Sequence, residues 1–147
     1  MTDLSPSNLS DFLIYQTEDG QTRLTVILEG TTVWLTQAAL TELYQTTKQN
    51  ISLHLKNIFT ENEVRKDSTV KYFLTVQNEG GRQVQRNLEH YNLDVILAVG
   101  YRVRSIRGTQ FRRWATARLS EYLVKGFVMD DERLKEGQGY DYFDELL

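Results

Sequence analysis

The chain has 147 residues, of which 40% are hydrophobic, and a formal net charge of −3. This length suits one domain with a buried core, and the absence of cysteine excludes disulfides and thiolate metal sites. No run approaches the roughly 20 apolar residues that a membrane span needs, and the N-terminus lacks the basic and apolar regions of a signal peptide. We therefore expect a cytoplasmic protein without membrane contact.

Positive charge is concentrated in the second half of the chain. Residues 71–129 carry ten bases against four acids, net +6, whereas residues 1–35 and 130–147 carry net −4 and −5. Clustering matters more than the total for nucleic-acid binding. A local basic face is therefore compatible with the acidic composition, and uneven surface charge without a ligand is the alternative.

The first 35 residues predict a flexible arm followed by a small sheet. Residues 1–10 contain the only proline and predict the arm. DFLIYQT (11–17) and TRLTVILEG (22–30) have the composition of strands, and the Asp19-Gly20 pair between them is typical of a hairpin turn. TTVWL (31–35) predicts a third short strand after a bend.

The segment Leu35–Phe59 predicts two short helices joined by a tight turn. Apolar residues recur at helical spacing in its first half, and Ile51, Leu55, Ile58 and Phe59 form an inward stripe in its second. This is the layout of a helix-turn-helix, whose second helix enters the major groove of DNA.

The ends of these helices are predicted from their capping residues. Thr36 and Thr47 stand where an N-cap oxygen accepts from free backbone N–H groups. Gln45 occupies the turn, where many helix-turn-helix sequences have glycine. Gln45 must therefore adopt a left-handed backbone, or the turn has a different geometry.

The outer face of the second helix is the predicted reading surface. Asn and Gln side chains can each make two hydrogen bonds to adenine, and an apolar side chain can contact a thymine methyl. The alternative is an ordinary solvated helix face. The predicted base contacts are Thr47, Gln49, Asn50, Ser52 and Leu53, and Lys48 and Lys56 are predicted phosphate contacts.

A second hairpin is predicted after a charged connector. VKYFLTV (70–76) and RQVQRNLEHY (82–91) are rich in β-branched and aromatic residues, and Gly80-Gly81 between them can supply positive φ. A hairpin that follows a helix-turn-helix is called a wing. Arg82 and Arg86 are predicted phosphate contacts there, and ordinary exposed strand charges are the equal alternative.

The C-terminal third predicts a pair of helices. Asn92 can cap a short apolar helix, and Thr109 can cap a longer one that ends before Gly126. Arginine favours bidentate phosphate contacts but also forms internal salt bridges, so we expect a third to a half of the cluster in residues 102–118 to be structural. The predicted phosphate contacts in this part are Arg102, Arg104, Arg107, Arg112 and Arg113.

Four stretches of the chain resemble the RhuM virulence-protein family. They are IYQTEDG (14–20), VWLTQAALTELYQTTKQNISLHLKNIF (33–59), YNLDVILAVGYRVRSIRGTQFRRWAT (91–116) and YLVKGFVMDDERL (122–134). The resemblance implies a bacterial family linked by name to virulence islands, with an N-terminal winged-helix-like region that binds DNA. The chain departs from it at Gln45-Thr46, where relatives look more like Gly-Val. A looser likeness, through Phe111, Arg112 and Trp114, is to phage antirepressor modules.

No pattern in the sequence predicts an enzyme, a metal site or a cofactor. His54 and His90 are the only histidines, and they fall in different predicted elements without an adjoining nucleophile. No phosphate-binding loop or dinucleotide motif is present. The binding classes therefore remain.

Together these observations predict an α+β fold with a winged helix-turn-helix-like core. We expect an N-terminal β-hairpin, a β-hairpin wing and a C-terminal helical pair in residues 11–128, between the flexible arm of residues 1–10 and an acidic tail or linker of residues 129–147. The predicted function is a DNA-binding regulatory protein that reads double-stranded DNA with residues 47–59, as a homodimer. The alternative is an antirepressor-type module that binds a repressor or other protein and does not contact DNA directly.

Overall fold

The computed structural model describes residues 10–135, which form one antiparallel sheet and five helices. The fold class is α+β, as predicted. The predicted N-terminal arm and residues 136–147 of the predicted tail lie outside the described residues, apart from Ser10. The elements in chain order are β1 (Ser10–Gln16), β2 (Arg23–Glu29), β3 (Thr32–Thr36), α1 (Gln37–Leu43), α2 (Lys48–Thr60), α3 (Lys66–Thr69), β4 (Val70–Glu79), β5 (Arg82–Asn92), α4 (Leu93–Arg102) and α5 (Ile106–Lys135).

The sheet has the strand order β1-β2-β3-β5-β4. β1 pairs with β2 along its whole length, but β3 pairs with β5 at only three positions, Trp34↔Asn92 to Thr36↔His90. β4 and β5 continue to pair with each other as far as Glu79↔Arg82. Residues 72–89 therefore extend past β3 as a two-stranded ribbon, which we call the projecting hairpin.

The turn of the projecting hairpin has two residues. Gly80 and Gly81 have φ of 58° and 79°, and two consecutive positive φ angles are the requirement of a type I′ turn. The register from 70 to 79 has no break. The predicted second hairpin and its glycine turn are confirmed.

The main core lies between one face of the sheet and the helices. Alternating residues of β2 place Leu24, Val26 and Leu28 on that face, where each is at most 3% exposed. Phe111 of α5 is fully buried, and its ring packs against the ring of Tyr15 in β1 with 5.1 Å between the ring centroids. The sheet is therefore fixed to the helices through apolar contacts from both ends of the chain.

The last helix is longer than predicted at both ends. It begins at Ile106, and the predicted start at Thr109 is wrong because Ser105 accepts from the Arg107 N–H at 3.1 Å. It continues to Lys135, so the predicted end at Gly126 is also wrong, and the first residues of the acidic tail are helical. The charged connector contains a short helix, α3, that the sequence pattern did not indicate.

Within residues 10–135, no helix combines the length and the apolar character that crossing a bilayer requires.

Candidate nucleic-acid interface

Both predicted N-cap residues are found at the starts of the two helices of the helix-turn-helix segment. The Ala39 N–H donates to Thr36 Oγ1, and the Asn50 N–H donates to Thr47 Oγ1, each at 3.1 Å. Both threonines have extended backbones, as N-cap residues do. The start of α2, where the predicted reading residues lie, is therefore fixed by its own sequence.

The turn between α1 and α2 is closed by a left-handed Gln45. Its φ is 53°, its N–H donates to Glu42 O at 3.2 Å, and the Thr46 N–H donates to Thr41 O at 3.1 Å. These two bonds form a Schellman motif, which usually has glycine at the left-handed position. Of the two alternatives for this turn, the structure has the left-handed Gln45.

A side-chain amide joins the two helices across the turn. Gln37 Nε2 donates to Ser52 Oγ at 2.6 Å and to Lys48 O at 3.3 Å. These contacts join the start of α1 to the first two turns of α2. The angle between the helices is thus supported by polar bonds at the surface as well as by apolar packing below.

The second helix has one buried face and one exposed face. Ile51, Leu55 and Ile58 are 0%, 6% and 0% exposed, which confirms the predicted apolar stripe. On the other face Gln49 and Lys56 are exposed, and Leu53 is 53% exposed. α2 therefore presents a polar and basic outer surface that contains one apolar side chain.

Three of the five predicted base contacts already have a partner inside the motif. Thr47 Oγ1 caps α2, Ser52 Oγ accepts from Gln37, and Asn50 Nδ2 donates to Thr46 Oγ1 at 2.8 Å. Among the described residues, no side-chain bond engages Gln49. Gln49 and Leu53 are therefore the two predicted reading residues whose side chains are free for a ligand.

Tyr44 connects the α1–α2 turn to the C-terminal helices. Its hydroxyl donates to Ile96 O at 2.6 Å, and burial raises the pKa of the phenol, so that it remains a donor. A Cβ built on Gly100 would lie 2.6 Å from that hydroxyl oxygen, and one on Gly108 would lie 3.2 Å from it. These glycines form a notch for the ring. Sequence reasoning missed this role, although the two glycines stand eight residues apart beside the arginine cluster.

Arg107, a predicted phosphate contact, is bound within the fold. Its Nε donates to Leu43 O, its Nη1 to Asp19 Oδ2 at 3.3 Å and its Nη2 to Thr22 Oγ1 at 3.2 Å, and its side chain is only 13% exposed. A hydrogen bond from Thr17, assisted by the charge of Arg107, holds the pKa of Asp19 below its usual value. Arg107 therefore joins α1 to the β1–β2 turn.

Arg102 is bound at the end of α2. Its Nη2 lies 2.7 Å from Glu61 Oε1 and 2.9 Å from Glu63 Oε1, and these carboxylates raise its pKa above the usual value. Two acidic partners offset its charge. Arg102 thus secures the C-terminus of α4 to the residues after α2, and it adds little positive potential to the surface.

The arginines of the projecting hairpin lie on the face away from α2. The Tyr91 ring stacks on that of Phe59 in α2, with 6.4 Å between the ring centroids. Because side chains alternate along a strand, the other odd-numbered residues of β5 also face the helices. Arg82 and Arg86 are even-numbered and lie on the other face. Arg86 is also paired with both carboxylate oxygens of Glu79, at 2.7 and 2.8 Å.

Six of the predicted cations are exposed without an ion pair to another described residue, and they lie on three parts of the fold. They are Lys48 and Lys56 on α2, Arg82 at the hairpin tip, Arg104 between α4 and α5, and Arg112 and Arg113 on α5. Arg104 and Arg112 line one cavity with Gly100 and Gly108, the two glycines of the Tyr44 notch. The free positive charge therefore includes helix α2 and the α4–α5 junction.

Comparison with known families gives one match. A family model described as the Virulence protein RhuM family matches residues 68–147, which include β4, β5, α4 and α5. The resembling stretches at 91–116 and 122–134 fall inside this match, whereas those at 14–20 and 33–59 fall outside it. No curated protein and no solved structure matches the chain.

Proposed function

The chain belongs to the Virulence protein RhuM family, and within it we propose a DNA-binding regulatory protein that reads double-stranded DNA with helix α2. The observation that carries the proposal is the division of α2 into a buried face and an outward face. Gln49, Leu53 and Lys56 lie on the outward face beside a Schellman turn. This chemistry suits the major groove, where an amide reads adenine and an apolar side chain contacts thymine.

The phosphate contacts are assigned to cations without an internal partner. We assign this role to Lys48 and Lys56 on α2 and to Arg104, Arg112 and Arg113 near the start of α5. In this proposal the projecting hairpin acts as a wing, and Arg82 at its tip contacts phosphate. Arg86, Arg102 and Arg107 are left out of the interface because carboxylates or backbone carbonyls already bind them.

Two copies of the chain are expected on one DNA site. A single module of this size buries limited DNA surface, and two-fold helix-turn-helix dimers recognise half-sites about one helical turn apart. The proposed site is therefore palindrome-like, with one α2 helix in each half-site.

Selection of duplexes from a random library tests the reading helix. The wild-type protein should enrich one sequence, and Gln49→Ala with Leu53→Ala should lose preference for it while retaining non-specific affinity, since phosphate contacts carry no sequence information. Gln21→Ala with Leu123→Ala is the matched control, because it removes the same side chains from exposed positions away from α2. Unchanged preference in the α2 variant would reject the assignment.

A protein-interaction module of antirepressor type is the second candidate. The observation that favours it is apolar exposure: Leu53 on α2 is 53% exposed, and Tyr72, Leu74 and Val76 on the projecting hairpin are 60%, 62% and 60% exposed. Such a module would enrich no duplex in the selection. Its affinity for a purified repressor would fall on Leu53→Ser and would be insensitive to Lys56→Ala.

A further inference from the structure

The outer edge of β4 is a long strand edge without a partner among residues 10–135. The strand has ten residues, pairs only with β5 and lies at one end of the sheet. It contains no proline and no glycine, and its register has no bulge. Natural sheets usually block such an edge with proline, bulges or inward charges, because it is a template for another strand.

The two-residue turn determines which backbone groups of β4 are free. In a hairpin with this turn, the flanking residues Glu79 and Arg82 form a hydrogen-bonded pair, and bonded pairs then recur at every second position. The odd-numbered residues of β4 therefore bond to β5. The N–H and C=O groups that point away from β5 belong to Tyr72, Leu74, Val76 and Asn78.

These same positions carry the apolar side chains of the edge. Tyr72, Leu74 and Val76 lie on one face and are all at least 60% exposed. No charged residue lies between Lys71 and Glu79. The edge therefore offers backbone hydrogen bonds and an uncharged apolar row over the same seven residues.

We propose that the β4 edge is the homodimerisation surface, with two copies pairing antiparallel about Leu74. In this register Leu74 faces Leu74 of the partner subunit, and Tyr72 faces Val76 of the partner subunit, so every apolar residue of the row meets another. Such cross-strand pairs stabilise antiparallel sheets. The result is one continuous ten-stranded sheet.

The charges at the two ends of β4 fit a second copy of the same strand. Lys71 lies at the start and Glu79 at the end, so antiparallel copies bring opposite charges close at both ends. In the Leu74 register they are diagonal neighbours, within reach of long side chains. A two-fold dimer is self-complementary in this sense, whereas a parallel arrangement would place like charges together.

A register centred one residue later is less favourable. An axis at Thr75 would place Lys71 directly opposite Glu79, but each is already in an ion pair, with Glu29 and Arg86 respectively, which limits what their attraction adds in either register. That axis would also place Tyr72 opposite Asn78 of the partner subunit and would leave two apolar pairs instead of three. The axis at Leu74 retains all three pairs.

Measurement of the protein's mass in solution tests whether the β4 edge forms the dimer. Because no DNA is present, the outcome does not depend on whether the protein binds DNA. The wild-type protein should have twice the chain mass of 17.2 kDa, and Leu74→Lys should reduce it to one chain, because two like charges directly opposite each other oppose strand pairing. Phe12→Lys is the matched control: this residue is 66% exposed on the opposite edge strand β1, and the variant should remain dimeric. Circular dichroism checks that both variants fold.

Cysteine substitution tests the register, because the chain has no cysteine of its own. Leu74→Cys should form a disulfide-linked dimer on oxidation, since directly opposite Cα atoms lie about 5.5 Å apart. Thr75→Cys should not, because the two residues would lie about 8 Å apart. A monomeric wild-type protein, a dimer that survives Leu74→Lys, or cross-linking through Thr75→Cys and not Leu74→Cys would each overturn the proposal.

Discussion

Within the described part of the chain, three residues other than glycine follow the ends of helices in the left-handed conformation. Gln45, Asn62 and Arg104 have φ of 53°, 56° and 53°, and each occupies the same position of a Schellman motif after α1, α2 and α4. For a residue with a side chain this conformation costs roughly 1–2 kcal/mol. The backbone is therefore strained on both sides of α2, the proposed DNA-reading helix, and at Arg104 in the arginine cluster.

Replacing the residue in the helix-turn-helix turn should stabilise the protein. Gln45→Gly is expected to raise the free energy of unfolding by about 0.5–1 kcal/mol, because relief of the left-handed strain exceeds the entropy cost of glycine. Gln49→Gly, inside α2, is the control and should lower the free energy by about 1 kcal/mol. Urea denaturation measures both, and a less stable Gln45→Gly protein would show that the Gln45 side chain has a stabilising role.

The glycine notch gives a second prediction at a single position. Gly100→Ala should destabilise the protein by about 1–3 kcal/mol, because its methyl group would lie 2.6 Å from the Tyr44 hydroxyl oxygen. Tyr44→Phe in the same chain should recover part of this loss. Gly108→Ala, at 3.2 Å from the same oxygen, should have a smaller effect. Equal effects of the two glycine substitutions in thermal melts would contradict the notch.

His90 should make stability depend on pH near neutrality. It is 4% exposed, Leu88 O lies 2.9 Å from its Nδ1, and burial lowers its pKa below the usual 6.5. The unfolded chain therefore binds the proton first as pH falls, so stability is fully present above about pH 6.5 and decreases as pH falls through the folded pKa. As the pH is lowered from about 8 to about 5, the urea midpoint of His90→Gln should fall less than that of the wild-type protein. Equal falls in the two proteins would show that His90 does not cause the pH dependence.

At the scale of elements, Arg107 connects parts of the fold that are distant in sequence. Its guanidinium bonds α1 to the β1–β2 turn from the start of α5. Arg107→Ala should destabilise the protein by about 2–3 kcal/mol, since it removes charge-assisted bonds at a largely buried group. Arg113→Ala, at an exposed position without a partner among the described residues, should change stability by less than about 0.5 kcal/mol. Similar losses of unfolding free energy for the two variants in urea denaturation would show that Arg107 is not a structural residue.

The elements that could be predicted from sequence are those encoded by nearby residues. The caps at Thr36 and Thr47, the buried stripe of α2 and the Gly80-Gly81 turn depend on spacings of a few positions, and all are present. The start of α5 was missed because Ser105 competes with Thr109 as a cap, and local pattern alone does not rank them.

The parts that could not be predicted depend on contacts between distant residues. Composition alone places Arg107 and Arg102 among the predicted phosphate contacts, but their partners lie 39 to 88 residues away in sequence. The Asn50 amide bonds to Thr46 in the turn, and helical projection alone does not give this orientation. The outward face of α2 was thus predictable, but which of its side chains are free was not.

At the scale of the whole molecule, charge and family resemblance are unevenly distributed. The net +6 of residues 71–129 includes arginines bound by internal carboxylates, so the free cations are fewer than composition suggests. The family match covers residues 68–147 and leaves out α1 and α2. The DNA-reading proposal therefore depends on the geometry of α2 itself, together with the cations on that helix and near α5.

The salt dependence of affinity for a selected duplex tests most directly whether α2 lies against DNA. Each phosphate contact contributes about −0.9 to the slope of log affinity against log salt concentration. Lys48→Ala with Lys56→Ala should therefore reduce the magnitude of the slope by about 3.6, because a dimer presents four of these lysines, whereas Lys71→Ala, on the outer edge of the sheet, should leave it unchanged. An unaltered slope in the α2 variant would contradict the account.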